Sequence, residues 1–211
     1  MTNDISFKGY SIVACGTLRR ELNHLRDAGF LDADKILFTT PGLHEHLDEL
    51  ERQLTKQIET AKKYSKKIIV VYGSKCFLDP LNPKDIDTII DELDGDIQRV
   101  NATTCIDMLA DNEERTIAAG DNKIFWLPIG WVEYRNNVFK DWDSGLANET
   151  FPKNDKALML DSVGAFEEYS MNSPEKILEF SDWMGIPLEP HIITLERFKN
   201  LLIECVTKNN S

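Results

Sequence analysis

The chain has 211 residues, of which 42% are hydrophobic, and this is enough to form one α/β domain with a substantial core. Its 36 acidic residues outnumber its 24 basic residues, so the formal net charge is −12. An acidic surface repels phosphate backbones, and we find no basic patch with interleaved aromatic residues, which argues against nucleic acid as a partner. No apolar run reaches the roughly 20 residues that span a bilayer, which argues against a membrane protein.

The N-terminal segment MTNDISFKGY is polar and lacks the pattern of a signal peptide. We therefore expect a cytoplasmic protein in a reducing environment. There, disulfides are rare, and cysteines are more often buried, catalytic or metal-bound.

Apolar runs alternate with helical patterns along the chain, which predicts a parallel sheet covered by helices. The predicted strands cover 10–14, 35–40, 66–73, 97–100, 123–131 (strand and turn) and 156–164. The third, KKIIVVYG, is the clearest, because a continuous β-branched run is typical of a strand buried on both faces. The fold predicted for residues 1–211 is a single-domain, three-layer α/β sandwich with a mostly parallel sheet of five to six strands.

Helical periodicity predicts helices between these strands and at the end of the chain. The predicted helical segments are 16–29, 43–61, 83–93, part of 101–120, 173–185 and 194–206. Residues 74–83 are expected to form a loop, 138–155 a helix with an irregular crossover, and Glu189–His191 a turn. Cys205 lies on an apolar stripe of the last helix and is predicted to be a core residue.

Four residues that could bind a metal follow four successive strands. Cys15 follows the first strand, His44 the second, Cys76 the third and Cys105 the fourth. Because the ends of parallel strands lie along one edge of a sheet, where ligands normally bind, these residues could meet at one place.

Thiolates and imidazole favour zinc or an iron–sulfur cluster over hard cations such as Mg²⁺. Four such ligands would close a tetrahedral zinc site, whereas three thiolates could hold an iron–sulfur cluster. His46 is a rival to His44 as the nitrogen ligand. The alternative for each cysteine is a small buried hydrophobic residue.

The segments ACGTLRREL, PGLHEHLDEL, VVYGSKC, TCIDML and WLPIGWVE resemble the DUF1638 family, a domain family of uncharacterised function. The resemblance extends from about Gly9 to the final helix. It carries over the same four positions, Cys15, His44, Cys76 and Cys105, as metal ligands.

The same resemblance matches the Tyr72-Gly73 pair and Gly130-Trp131, with Glu133 close by. It implies that Tyr72, Gly73, Trp131 and Glu133 contribute to substrate binding. One departure concerns the third loop, because the family pattern Tyr-Gly-x-Cys-Gly is replaced here by YGSKCF, which could displace the thiol.

The resemblance also implies a link with corrinoid-dependent methyl transfer in one-carbon metabolism. The partner would then be a small-molecule substrate or a corrinoid methyltransferase component. Three functions stay open. The first is a zinc or iron–sulfur protein with an accessory or methyltransferase role. The second is a metal-free enzyme with a racemase-like thiol pair from the first and fourth loops. The third is a non-catalytic interaction domain with a structural metal.

Overall fold

A computed structural model of the protein describes residues 5–77 and 84–207. Its strands are β1 (Tyr10–Ala14), β2 (Lys35–Phe38), β3 (Lys67–Val71), β4 (Asp96–Arg99), β5 (Ile124–Pro128), β6 (Lys156–Asp161) and β7 (Leu188–Ile192). The six strands predicted from the sequence are confirmed: β1 has the predicted bounds, β4 begins and ends one residue earlier than predicted, and the other four are shorter. The predicted loop 74–83 lies outside the described residues from position 78 onward.

The helices alternate with the strands, and several are short. They are α1 (Arg19–Asp27), α2 (Leu47–Ala61), α3 (Ile86–Asp91), α4 (Cys105–Leu109), α5 (Asn112–Ala119), α6 (Ile129–Glu133), α7 (Arg135–Val138), α8 (Ser144–Thr150), α9 (Ala165–Asn172), α10 (Glu175–Met184) and α11 (Glu196–Thr207). Single 3₁₀ turns occur at Gly16–Leu18, Leu43–Glu45, Ser74–Cys76 and Phe151–Lys153. No helix in the described ranges is long and apolar enough to cross a membrane.

The strands form two parallel sheets, with the orders β2-β1-β3-β4 and β5-β6-β7. The α/β class is confirmed, but the prediction of one sheet of five to six strands is wrong. Alternating strands and helices look the same in one sheet or in two, because strand pairing depends on contacts between segments distant in sequence.

Strand β7 replaces the turn predicted at Glu189–His191. Among the described residues it pairs only with β6, so it forms an edge of the second sheet, and it contains Pro190. Proline cannot donate a hydrogen bond to a neighbouring strand and is tolerated at an edge. The proline explains why this strand was missed.

Helices cover both faces of the first sheet. Along β3, Ile69 and Val71 pack into the core that contains α11, whereas Ile68 and Val70 pack into the core beneath α2 and α3. This alternation is the expected consequence of burying a β-branched strand on both sides. The side chain of Cys205 is buried in the first of these cores, as predicted.

The two sheets meet where α6 packs against the turn Gly16–Leu18 that follows β1. Gly130 makes this contact possible: a Cβ atom at this position would lie 2.0 Å from the carbonyl oxygen of Thr17. The close backbone approach brings α6, from the second sheet, to the carboxyl edge of the first.

Candidate functional site

A cavity of about 180 Å³ lies at the carboxyl edge of the first sheet. From β1 the chain moves outward to β2 and then crosses back to β3, so a topological switch point separates β1 from β3. Ligands of open α/β sheets bind at such points. Six of the residues singled out from the sequence line the cavity: Cys15, His44, Tyr72, Cys76, Cys105 and Trp131.

The three thiols reach the cavity from three different strand ends. Cys15 directly follows β1, Cys76 closes the turn after β3, and Cys105 opens α4 after β4. The position of Cys105 is fixed by Thr104, whose hydroxyl accepts a hydrogen bond from the backbone N–H of Asp107 and caps the helix. Each cysteine is partly buried and free of disulfides.

Burial raises the pKa of all three thiols, and the charges of neighbouring cysteines add to this effect at Cys76 and Cys105. The pKa of Cys76 rises to about 12, first through loss of solvent and then through the charge of Cys15. That of Cys105 lies well above its usual range, because of burial and then the charges of Cys76 and Cys15. Three adjacent thiolates are thus disfavoured unless a positive charge enters the cavity.

His44 and Trp131 form one wall of the cavity. Their rings are stacked, with centroids 5.8 Å apart and planes within 7°. Loss of solvent lowers the pKa of His44, which favours the neutral imidazole, the form that binds metals. His46 instead contacts Asp141, with 3.1 Å between Nε2 and Oδ2, and is not among the lining residues.

Gly73 and Glu133, predicted to bind substrate, are not among the residues that line this cavity. A Cβ atom on Gly73 would lie 2.3 Å from the carbonyl oxygen of Thr103, so this glycine allows the loops after β3 and β4 to touch. The carboxylate of Glu133 accepts a hydrogen bond of 2.8 Å from Arg20 and borders a separate surface pocket.

Several residues of the site were not predicted. Thr17, Leu43, Leu50, Lys75, Thr104 and Ile106 also line the cavity. Of these, Thr17 could have been suspected from its position two residues after Cys15 in the same loop. The others depend on how the loops fold over one another.

Arg99 was missed because it lies in the weakest predicted strand. Its guanidinium group donates to the carbonyl oxygens of Tyr72, Val100 and Ala102 at 3.3, 2.7 and 2.9 Å, and it forms an ion pair with Asp87. It therefore ties together the loops that carry Cys76 and Cys105. The sequence signal that could have revealed Arg99 was its position as a basic residue at the end of a strand in an acidic chain.

Glu21 on α1 is a buried carboxyl group near this edge, and it also went unnoticed. Its side chain is 0% exposed, and neither oxygen has a hydrogen-bond partner in the described part of the chain. Burial, reinforced by the charges of Glu133 and Asp161, raises its pKa to about 7.

Thiols and an imidazole suit a soft metal, but here they are distributed around the wall of the cavity. Among the described residues, no three His, Cys, Asp or Glu side chains are placed to hold one metal ion together. The thiols of Cys15, Cys76 and Cys105 nevertheless line the same small space.

Fold and site together define an α/β protein with two parallel sheets and a three-thiol cavity at the switch point of the first. The chain belongs to the DUF1638 family, described as proteins of unknown function, whose model matches residues 38–202. Cys15 and β1 precede the matched range. Neither the curated proteins nor the solved structures provide a match.

Proposed function

We propose that this protein binds an iron–sulfur cluster through Cys15, Cys76 and Cys105. The observation that carries the proposal is the position of three thiols, from three separate strand ends, around one cavity. The remaining cysteine, Cys205, is an example of the alternative role, that of a small buried hydrophobic residue, because it is buried in the core away from this cavity.

Electrostatics support a positively charged occupant. Burial and mutual repulsion raise the pKa values of Cys76 and Cys105, so these thiols stay protonated when the cavity contains no cation. A metal centre supplies the positive charge that makes thiolates favourable, and binding releases the protons. The cavity has mostly apolar neighbours such as Leu43, Leu50 and Ile106, which limit the access of water to such a centre.

The arrangement favours a cluster over zinc. Zinc needs its donors about 2.0–2.3 Å from one point, whereas the cysteines of a [4Fe–4S] cluster each bind a different iron. Three thiols that reach one cavity from three separate strand ends suit the second case. His44, with its neutral imidazole at the cavity wall, is the residue we propose as the fourth ligand.

The test is to purify the protein without oxygen, supply iron and sulfide, and measure iron, sulfide and zinc per chain. We expect several irons with sulfide in the wild type and in Cys205→Ala, the matched control in the core. Cys15→Ala, Cys76→Ala and Cys105→Ala should each lose most of the iron, because removing one thiolate opens the site.

Equal iron content in all four variants would overturn the proposal. One zinc per chain without sulfide would replace the cluster with a mononuclear site. A wild type that takes up no metal would favour the metal-free thiol enzyme, in which Cys15 and Cys105 supply the pair.

We propose a corrinoid methyltransferase component as the partner and the cytoplasm as the location. The resemblance to DUF1638 proteins motivates the first, and four cysteines without a disulfide suit a reducing compartment. A bound cluster supplies one-electron chemistry. The iron-loaded protein, after photochemical reduction, should therefore reduce a cobalt(II) corrinoid to cobalt(I), measured by visible absorption. An unchanged corrinoid spectrum, with iron retained, would remove this partner and leave the metal centre.

A further inference from the structure

The three thiols of the cavity differ in their immediate surroundings. The hydroxyl of Thr17 donates to the sulfur of Cys15 across 3.1 Å. The hydroxyl of Tyr72 faces the same sulfur, and the backbone N–H groups of Thr17 and Gly42 also stabilise its thiolate form. Side-chain and main-chain donors thus surround this one sulfur.

Tyr72 is held in place from its other side. Its hydroxyl is hydrogen-bonded to that of Thr39, and both side chains are buried, with 2% and 1% exposure. When Thr39 donates to the tyrosine oxygen, the tyrosine proton is free to point at Cys15. The buried pair therefore presents a donor to the sulfur without competition from solvent.

The other two sulfurs receive backbone donors. Cys76 is stabilised by the N–H groups of Gly73 and Cys105, and Cys105 by that of Ile106. The hydroxyl groups that face a cavity thiol in the described part of the chain, those of Thr17 and Tyr72, both face Cys15. The ligand set is therefore asymmetric.

We propose that Thr17 and Tyr72 are positioning residues. Their hydroxyl groups orient the sulfur of Cys15, so that this cysteine is the ligand that holds the metal centre most firmly. This inference rests on the proposed function. Hydrogen bonds to a ligating atom orient it and tune the metal, and losing such a partner typically lowers metal affinity or activity by about 10- to 100-fold. Hydrogen bonds to cluster sulfurs also raise the reduction potential.

The test uses the full chain loaded with iron and sulfide, and it removes one hydroxyl at a time. In Tyr72→Phe and Thr17→Val, iron should pass to a chelator about tenfold faster than in the wild type. The reduction potential should become more negative, while the initial iron content stays the same. Thr17→Ser keeps the hydroxyl and should restore both values.

Tyr10→Phe is the matched control, because Tyr10 is also buried and lies at the amino end of β1, where its hydroxyl is 3.5 Å from the Lys67 ammonium. It should behave like the wild type. A wild type that takes up no iron would overturn the proposed function together with this inference. A loaded wild type whose release rate and potential are unchanged in Tyr72→Phe and Thr17→Val would overturn this inference alone.

Discussion

Replacing Gly130 by alanine should lower the free energy of unfolding by about 3 kcal/mol, because it overpacks the contact between the two sheets. The new Cβ atom would lie 2.0 Å from the carbonyl oxygen of Thr17 and 2.7 Å from its carbonyl carbon. Both are backbone atoms, so no side-chain rotation can relieve the clash. Either α6 or the turn after Cys15 must move.

Urea unfolding followed by tryptophan fluorescence measures this loss. The same displacement should impair iron uptake, because Thr17 and Trp131 both border the cavity. Gly145→Ala is the control: its Cβ would meet only an exposed side chain, that of Asp143, at 3.1 Å. A Gly130→Ala protein as stable as Gly145→Ala would show that the two sheets do not depend on this backbone contact.

Replacing Glu21 by glutamine should stabilise the protein at pH 8 and flatten the dependence of its stability on pH. In the folded protein the pKa of Glu21 is about 7, compared with an ordinary value of 4.5. This difference corresponds to a penalty of about 3 kcal/mol once the folded protein must hold the ionised form. Glutamine keeps the shape and cannot ionise.

The direction of the pH effect follows from which state binds the proton. Below pH 4.5 the carboxyl group is protonated in both states, so there is no penalty. Between about pH 4.5 and 7 the unfolded chain releases the proton while the folded protein keeps it, so stability falls as the pH rises. Above pH 7 both states are ionised and the full penalty remains.

Urea unfolding of Glu21→Gln at pH 5, 6, 7 and 8 tests this expectation. Exposed Glu149 supplies the control, Glu149→Gln, which should keep the wild-type slope. If Glu21→Gln unfolds more easily than the wild type at pH 8, the ionised carboxylate has a favourable role in the fold.

Much of the site could be predicted because every strand of a parallel sheet repeats the same geometry. Strands such as KKIIVVYG are recognisable from their β-branched residues, and parallel strands bring their carboxyl ends to the same edge. That was sufficient to place Cys15, His44, Cys76 and Cys105 near one another without knowing the strand order. The apolar stripe of the last helix likewise identified Cys205 as a core residue.

Contacts between distant segments could not be predicted in this way. The division into two sheets depends on which strand edges pair, and periodicity within a strand carries no information about that. The close approach of two loops at Gly73 was also beyond prediction, because it depends on the packing of segments distant in the chain. Glu133 on α6 forms an ion pair with Arg20 on α1. Neither the sequence around Glu133 nor the sequence around Arg20 indicates this contact.

The α/β class, the six main strands and the order in which thiols and imidazole follow them could be predicted from local sequence, because they depend on neighbouring residues. The packing of the folded chain determines that α6 from the second sheet closes the cavity with Trp131, and that Thr17 and Tyr72 surround Cys15. It also determines that Glu21 is buried without a partner among the described residues. Burial and hydrogen bonding of this kind depend on the three-dimensional approach of segments far apart in the chain.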